Sequence, residues 1–421
     1  MGQHLLFMST PVPGHLFPNL AVVEELIRRG HRVSFVTGES QAETVRLTGA
    51  DVITYESSFD DVRKLNLPQD RQGANTPLTV LKDGITMLDT AKARLDEDRP
   101  DLILYDMIAF HVGRVLARTW DVPAVQLNPM FASNEHFSLH KAMHDAPPAA
   151  GAEQEEQKPD TLAAGMGEWF AALAGLLAAH QVTTPPGEFL AATEELTLVY
   201  LPRELQYEGA TFDETFVFAG PCVNDRAFMG DWQPPTDGLP VVLISLGGIV
   251  NELPDFFRGV VGAFTDKPWH AVITVGNGID PAELGELPAN IEVHRWVSHS
   301  TVLEHAELLV THGGTGSVTE SLGLGVPMVV IPQSADARPL ARRVEELSLG
   351  RHLDQLEPSP ELLLKTADEV VADSGIRANV AAMREHIRAA GGATRAADAL
   401  EAHLRRRTSE QRKEGTSDAG A

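Results

Sequence analysis

The chain has 421 residues, of which 43% are hydrophobic and 22% charged; this length exceeds what one hydrophobic core usually serves, and the composition excludes a wholly disordered chain. Lys and Arg number 34 against 59 Asp and Glu, a net charge of −25, which argues against a nucleic-acid partner because phosphate backbones are bound by Lys and Arg. The single cysteine, Cys222, excludes an intrachain disulfide and a cysteine-based metal cluster.

The N-terminal region predicts a βαβ unit. His4 to Ser9 is a short apolar run typical of a strand, Leu20 to Arg29 has helical periodicity, and Arg32 to Thr37 predicts the next strand. Such a unit implies a parallel sheet with helices on its faces. The early prolines argue against a signal peptide, and no apolar stretch approaches the roughly 20 residues that span a bilayer. We therefore expect a cytoplasmic protein that does not associate with membranes.

The same alternation continues along the chain and restarts near Val241. The other predicted elements are the strands Leu102 to Tyr105, Pro123 to Leu127, Val241 to Ser245, His270 to Val275, Glu307 to Thr311 and Met328 to Ile331, and the helices His111 to Thr119, Asp255 to Phe264 and Gly316 to Leu324. Residues 220–240 are rich in Gly, Pro, Asn and Asp, which indicates a linker. The sequence thus predicts an α/β protein with an N-terminal domain at 1–220, a linker at 221–240 and a C-terminal domain at 241–404. We expect a mobile loop at 146–159, which is rich in Pro, Ala, Glu and Gln, and a disordered tail at 405–421, which is polar and charged without an apolar face.

The strongest motif is THGGTGSVTE, from Thr311 to Glu320, between an apolar strand and a helix. At such a junction glycines let the backbone approach an anion, while free N–H groups and the positive end of the helix favour phosphate. His312 and Ser317 add side-chain donors, and Glu320 can accept hydrogen bonds from two ribose hydroxyls. The motif predicts a nucleoside-diphosphate site, with a plain glycine-rich connection as the alternative.

His15 and Asp106 are the candidate catalytic residues. His15 lies in the turn after the first strand, and Asp106 directly follows the strand Leu102 to Tyr105; ligands of open α/β sheets bind at such strand ends. A helix dipole would keep His15 neutral, as a general base requires, and Asp106 could hold its tautomer and stabilise its cation. Taken singly, His15 could instead be a packing residue and Asp106 a helix N-cap.

These motifs resemble those of UDP-sugar-dependent glycosyltransferases with the GT-B fold, and most closely those of bacterial macrolide glucosyltransferases. The resemblance runs from Leu5 to about Leu404 and includes Pro13-Gly14-His15, Asp106, Arg114 to Arg118, Val122 to Val125, Ser245-Leu246-Gly247, Pro281 to Pro288, Trp296-Val297, His312 to Glu320, Pro332-Gln333 and Asp336. It implies two Rossmann-like doubly wound domains that face a central cleft.

The resemblance also implies an inverting transfer that needs no metal and no cofactor besides the UDP-sugar co-substrate. His15 would deprotonate the acceptor hydroxyl, and Asp106 would stabilise the imidazolium. The implied donor-binding residues are Trp296 and Val297 at the uracil, Gly247, His312, Gly314, Thr315, Gly316 and Ser317 at the diphosphate, Glu320 at the ribose and Asp336 at the sugar. The acidic run Asp96-Glu97-Asp98 ends a predicted helix and is expected to be a solvated face rather than a metal site.

Three positions depart from the family's pattern. Ala337 follows Asp336 where the family usually has Gln, Ser298-His299 replaces Pro-Gln, and Gly248 replaces a small polar residue. The missing Gln leaves the donor sugar open, with glucose as the expected sugar. Glu320 favours UDP, because relatives that use deoxythymidine-diphosphate sugars often lack this acid.

The acceptor is expected to bind the N-terminal domain against apolar and aromatic residues, namely Met107, Ile108, Phe110, Phe131, Met143 and Trp169. Such walls suit a macrolide, another polyketide or a flavonoid, although each residue could instead fill the core. We expect a monomer or weak homodimer. The alternatives are a transferase of dTDP-deoxysugars, a UDP-sugar 2-epimerase, which would need no acceptor pocket, and an inactive nucleotide-sugar-binding protein, against which His15 and Asp106 argue.

Overall fold

The computed structural model describes residues 2–60, 76–145, 159–224, 232–247, 253–276, 278–355 and 357–418. The expected mobile loop at 146–159 lies outside them except for its last residue, and Gly248 lies outside them too. Both halves of the described chain alternate strands and helices, as the sequence predicts. The doubly wound α/β architecture is therefore confirmed.

The N-terminal domain contains one parallel sheet. Its strands are β1 (His4–Met8), β2 (Arg32–Gly38), β3 (Asp51–Tyr55), β4 (Leu102–Asp106), β5 (Ala124–Asn128), β6 (Thr197–Val199) and β7 (Phe216–Phe218). Its helices are α1 (Pro13–Arg28), α2 (Ala42–Arg46), α3 (Thr76–Leu95), α4 (Phe110–Trp120), α5 (Leu139–His144), α6 (Pro159–Ala179) and α7 (Pro186–Ala191). The strand order is β3-β2-β1-β4-β5-β6-β7. From the adjacent strands β1 and β4 the chain builds the sheet outward in opposite directions; we call this place the reversal point, and it opens a crevice at the carboxyl ends of the strands.

The C-terminal domain repeats this plan. Its strands are β8 (Val241–Ser245), β9 (His270–Thr274), β10 (Ile291–His294), β11 (Ala306–Thr311), β12 (Met328–Val330) and β13 (Gly350–His352). Its helices are α8 (Pro254–Phe264), α9 (His299–Leu303), α10 (Thr315–Leu324), α11 (Arg338–Glu346), α12 (Pro360–Ala372) and α13 (Ser374–Ala390). The strand order is β10-β9-β8-β11-β12-β13, so the reversal point of this sheet lies between β8 and β11.

The central strands are buried along their whole length. Every residue of β1, β4 and β8 is buried, as expected for parallel strands that are covered by helices on both faces. The sequence analysis missed β3 and the strands β6, β7, β10 and β13; the last four have only three or four residues each, too few to show a two-residue period.

Helix α1 begins at Pro13, well before the predicted start at Leu20. A proline is tolerated in the first turn because its missing N–H would have no partner within the helix. His15 therefore lies inside the first turn of α1 rather than in a loop before it.

The last helix, α14 (Gly392–Asp418), crosses back to the N-terminal domain. Leu400 and Leu404 share a buried cluster with Leu16 and Leu20 of α1. Residues 392–404, which the sequence assigned to the C-terminal domain, thus help to cover the N-terminal core.

The structure describes residues 405–418 of the expected disordered tail as the continuation of α14, which ends at Asp418. Arg405 pairs with Glu401 one turn earlier at 3.6 Å, and Arg407 pairs with Glu195 of the N-terminal domain at 3.2 Å. These charged side chains extend a helix that is already anchored by α1. Within the described ranges, no helix combines the length and apolarity needed to cross a bilayer.

Candidate functional site

The structure brings His15 and Asp106 together at the reversal point of the N-terminal sheet. Nδ1 of His15 lies 3.0 Å from both carboxylate oxygens of Asp106. Asp106 is fully buried, and Oδ1 also accepts a hydrogen bond from the backbone N–H of Ile108 at 2.9 Å. Because a carboxylate only accepts, Nδ1 of His15 donates, and Nε2 is the nitrogen that can take a proton.

The surroundings of His15 favour its protonated form. Burial lowers the pKa of the ring, but the charge and hydrogen bond of Asp106, together with the charge of Asp336, outweigh this effect and raise the pKa above its ordinary value. The sequence analysis expects the helix dipole to keep His15 neutral and Asp106 to stabilise its cation, and the raised pKa follows the second of these effects.

Two residues that the sequence analysis did not single out hold the first turn of α1 in place. Nδ2 of Asn19 donates to the carbonyl of His15 at 2.9 Å, and the hydroxyl of Tyr200 donates to Oδ1 of Asn19 at 2.7 Å. Asn19 is fully buried and Tyr200 nearly so. Tyr200 is distant in sequence, so only tertiary structure could reveal this support.

The N-terminus of α10 carries the predicted phosphate site. Gly314 is the N-cap, and none of the described side chains caps the helix. Thr315, Gly316 and Ser317 form the first turn and are half-buried. A first turn without a side-chain cap has backbone N–H groups and the positive helix end available to an anion.

Glycines make room for the ring of His312 beside this turn. A Cβ on Gly247 would lie 2.8 Å from Cε1 of His312, and one on Gly314 would lie 2.7 Å from its Nε2. Gly313 has a positive φ of 87°, which favours glycine. His312 follows β11 and Gly247 follows β8, so they meet at the reversal point of the second sheet.

The other residues predicted to bind the donor lie on neighbouring loops and helices. Trp296 follows β10 and is 45% exposed, which is unusual for so large an apolar side chain, whereas Val297 is buried. Glu320 is buried on α10, one turn beyond Gly316. Asp336 is exposed just before α11, and its negative charge contributes to the raised pKa of His15. Ala337, by contrast, is buried.

The predicted acceptor residues fall into two groups. Phe131 is buried and makes edge contacts with Phe137 and Tyr207, at centroid distances of 5.9 and 5.2 Å. Met107 and Met143 pack against the large hydrophobic core that includes Phe131. Phe110 and Trp169 pack instead against the core beneath α3 and α4. Ile108 is half-buried. Phe137 and Tyr207 were not among the predicted site residues, and Tyr207 gave no sequence signal.

The acidic run near Pro100 is occupied by protein contacts. Asp96 accepts from Nε1 of Trp120 at 2.6 Å, and Oδ1 of Asp98 accepts from Arg32 at 2.7 Å. In the portion of the chain that the structure describes, no group of three or more His, Cys, Asp or Glu side chains is arranged to hold a metal ion.

Comparisons with known proteins give consistent matches. Residues 265–403 match the family described as Erythromycin biosynthesis protein CIII-like, C-terminal domain. The chain is 38% identical over 413 residues to demethyllactenocin mycarosyltransferase of Streptomyces fradiae, covering 95% of this chain and 86% of that protein. It is 33% identical over 410 residues to an NDP-glycosyltransferase of Bacillus licheniformis, covering 96% and 98%.

Solved structures agree with these relatives. The calicheamicin glycosyltransferase is 39% identical, with a TM-score of 0.80, and the match covers 96% of this chain and 99% of that one. The kitacinnamycin glycosyltransferase is 35% identical, with a TM-score of 0.81, and the match covers 96% and 100%. The predicted GT-B architecture is thereby confirmed.

Proposed function

The chain belongs to the family of macrolide-type glycosyltransferases with the GT-B fold, and on that premise we propose that it transfers a sugar, with inversion and without a metal ion, from a UDP-sugar to a hydroxyl of a hydrophobic natural product. The observation that carries the proposal is the buried Asp106 carboxylate on Nδ1 of His15, with Nε2 left to take a proton. A pair of this kind suits a general base at the strand ends where ligands of such folds bind.

The proposed reaction is one displacement. Nε2 of His15 takes the proton of the acceptor hydroxyl while the hydroxyl oxygen attacks the anomeric carbon from the face opposite the nucleotide. The bond from that carbon to the diphosphate breaks, and the electron pair leaves with UDP. An α-linked donor then gives a β-glycoside, and Asp106 stabilises the imidazolium that forms on His15.

The leaving diphosphate requires donors that are already in place. The uncapped first turn of α10 supplies backbone N–H groups, and the ring of His312 lies between Gly247 and Gly314 beside it. Donors fixed before the reaction stabilise developing charge without reorganisation. This arrangement supports departure of the diphosphate without a metal ion.

The donor is proposed to be a UDP-sugar, with glucose as the expected sugar. Glu320 is buried one turn inside α10, where a carboxylate can accept from both ribose hydroxyls. A deoxysugar donor is the alternative, since one relative is named a mycarosyltransferase. Its name and that of an oleandomycin glycosyltransferase of Streptomyces antibioticus support a macrolide or other polyketide acceptor.

A screen of UDP- and dTDP-sugars against macrolide and phenolic acceptors, read by mass spectrometry, tests the proposal. We expect glycoside from a UDP-sugar, unchanged turnover in excess EDTA, and a β-linkage by the proton coupling constant of the product. An α-linkage would disprove inversion, and loss of turnover in EDTA would disprove metal independence. Conversion of the UDP-sugar to its C2 epimer without acceptor would favour the 2-epimerase instead.

A further inference from the structure

Helix α11 of the C-terminal domain is fastened to the N-terminal domain by the guanidinium of Arg343. Nε donates to the carbonyl of Leu205 at 3.0 Å, and Nη2 lies 3.3 Å from the carbonyls of both Glu204 and Gln206. The guanidinium carbon also lies 4.7 Å from the ring centroid of Tyr207. One side chain thus contacts four consecutive residues across the domain boundary.

Tyr207 completes the contact from the opposite side. Its hydroxyl donates to the carbonyl of Pro339, in the first turn of α11, at 3.2 Å. Its ring stacks on Phe137 at a centroid distance of 5.1 Å. The buried Gln206 beside it binds the backbone N–H and carbonyl of Ala132 at 2.9 and 3.1 Å. The segment 204–207 is therefore rigidly tied to the N-terminal domain, and α11 is tied to that segment.

Asp336 lies immediately before α11. Ala337 is the N-cap of the helix and is buried, and its backbone N–H donates to the carbonyl of Ser334 at 3.2 Å. A buried N-cap makes the turn at Asp336 follow any movement of α11. The position of the Asp336 carboxylate relative to His15 thus depends on how α11 is held.

We propose that Arg343 is a positioning residue that fixes Asp336 opposite His15 by clamping α11 to the segment 204–207. The inference rests on the proposed function, in which Asp336 contacts the donor sugar and His15 activates the acceptor. The geometry requires arginine at this position, because one planar guanidinium contacts several carbonyls and an aromatic face. The ammonium of a lysine is a compact point charge and could not make all of these contacts.

The charge near His15 provides a readout that a purely structural role would not move. Among the described residues, the charged groups that act on the His15 ring are Asp106, at the end of β4, and Asp336, before α11. The nearby Tyr200 hydroxyl stays neutral because burial raises its pKa far above the ordinary value. If α11 loosens and Asp336 moves away, the pKa of His15 falls. Loss of the positive charge of Arg343 would by itself raise the pKa of His15, so the sign of the pKa shift distinguishes the two causes.

The test compares Arg343→Gln with the wild type. We expect kcat/KM to fall about tenfold to a hundredfold, as for a small misplacement of reacting groups, and the acid limb of its pH profile to move to lower pH. Arg343→Lys should lie between the two, and Tyr207→Phe should shift the limb in the same direction by less. Affinity for UDP, measured by calorimetry, should stay unchanged.

Two controls make the result specific. Arg258→Gln removes the same charge on α8, where Arg258 pairs with Asp255, three residues earlier, at 2.5 Å, and it should leave both kcat/KM and the pH profile unchanged. In an Asp336→Asn background, Arg343→Gln should move the acid limb no further. The proposed role of Arg343 would be contradicted if the acid limb of the pH profile did not move in Arg343→Gln. It would also be contradicted if the acid limb moved further in the double variant than in Asp336→Asn.

An NMR titration of the His15 ring separates this inference from the proposed function. The His15 signal is assigned by its loss in His15→Gln, and its pKa is compared between wild type and Arg343→Gln with UDP bound. A lower pKa in the variant, in a protein that glycosylates none of the acceptors, would support the clamp and contradict the proposed transfer. An equal pKa in an active enzyme would contradict the clamp alone.

Discussion

The two walls of the cleft occupy the same place in the same topology but use different atoms. On the N-terminal wall, the side chains of His15 and Asp106 meet where β1 and β4 end. Nδ1 of His15 is hydrogen-bonded to Asp106, and Asp106 accepts a hydrogen bond from the backbone N–H of Ile108. On the C-terminal wall, where β8 and β11 end, the site consists of the uncapped turn of α10 and glycines that leave room for His312.

The difference follows from what each wall would do in the proposed transfer. Moving a proton requires a group with a tuned pKa, and burial with neighbouring carboxylates supplies this at His15. Holding a dianion requires directed N–H groups, which a helix N-terminus provides without any cationic side chain. None of the predicted donor-binding residues is Lys or Arg, so under the proposed function this protein of net charge −25 binds the diphosphate through local dipoles.

The largest effect is expected from removing the proposed proton acceptor on the N-terminal wall. His15→Ala should lower glycoside formation by about 10²- to 10⁴-fold, because general base catalysis contributes about that much, while UDP binds with unchanged affinity. Product formation is followed by mass spectrometry and UDP binding by calorimetry. A variant that forms product at near the wild-type rate would remove His15 from the mechanism.

Removing the charge behind His15 should have the next largest effect. Asp106→Asn should lower kcat/KM about a hundredfold, since the imidazolium loses its partner. Because Asp106 raises the pKa of His15, the acid limb of the pH profile should move to lower pH in the variant: protonation inactivates a general base, and a base of lower pKa stays deprotonated at lower pH. An acid limb that moves to higher pH would contradict the assigned role of Asp106.

The C-terminal wall can be tested by filling space instead of removing charge. Gly314→Ala places a methyl group 2.7 Å from Nε2 of His312, so the ring must move, and affinity for UDP should fall by about tenfold, the equivalent of one charge-assisted hydrogen bond. Gly323→Ala, on the same helix, meets Ile387 at an ordinary 3.6 Å and serves as the control. Equal affinities in the two variants, measured by calorimetry, would show that the position of His312 is unimportant.

The smallest expected effect concerns the ribose. Glu320→Ala should weaken binding of UDP about tenfold more than binding of dTDP, because only the ribose of UDP has a 2′-hydroxyl that can donate to the carboxylate. Calorimetry with both nucleotides on the wild type and the variant gives the comparison. Equal losses would remove the basis for preferring a UDP-sugar.

Local sequence patterns were sufficient to place the candidate residues that lie where a strand ends and a helix begins. The positions of His15, Asp106 and His312 after buried strands predicted their edge of the sheet, because carboxyl ends of parallel strands meet there. The sequence analysis foresaw that Asp106 stabilises the His15 cation, but it missed the contribution of Asp336 to the pKa of His15, because Asp336 is remote in sequence and belongs to the other domain. Asn19 and Tyr200 were missed for the same reason, as their contact joins residues that are remote in sequence.

The sequence by itself indicated the two doubly wound domains, the family and the candidate residues of both walls, because these depend on short-range periodicity, glycine placement and contiguous motifs. Only the tertiary structure decided how the halves are joined. The sequence does not show that Leu400 of α14 packs against α1 or that Nε of Arg343 donates to the carbonyl of Leu205. Such contacts depend on which surfaces long-range folding brings together, and no local pattern records them.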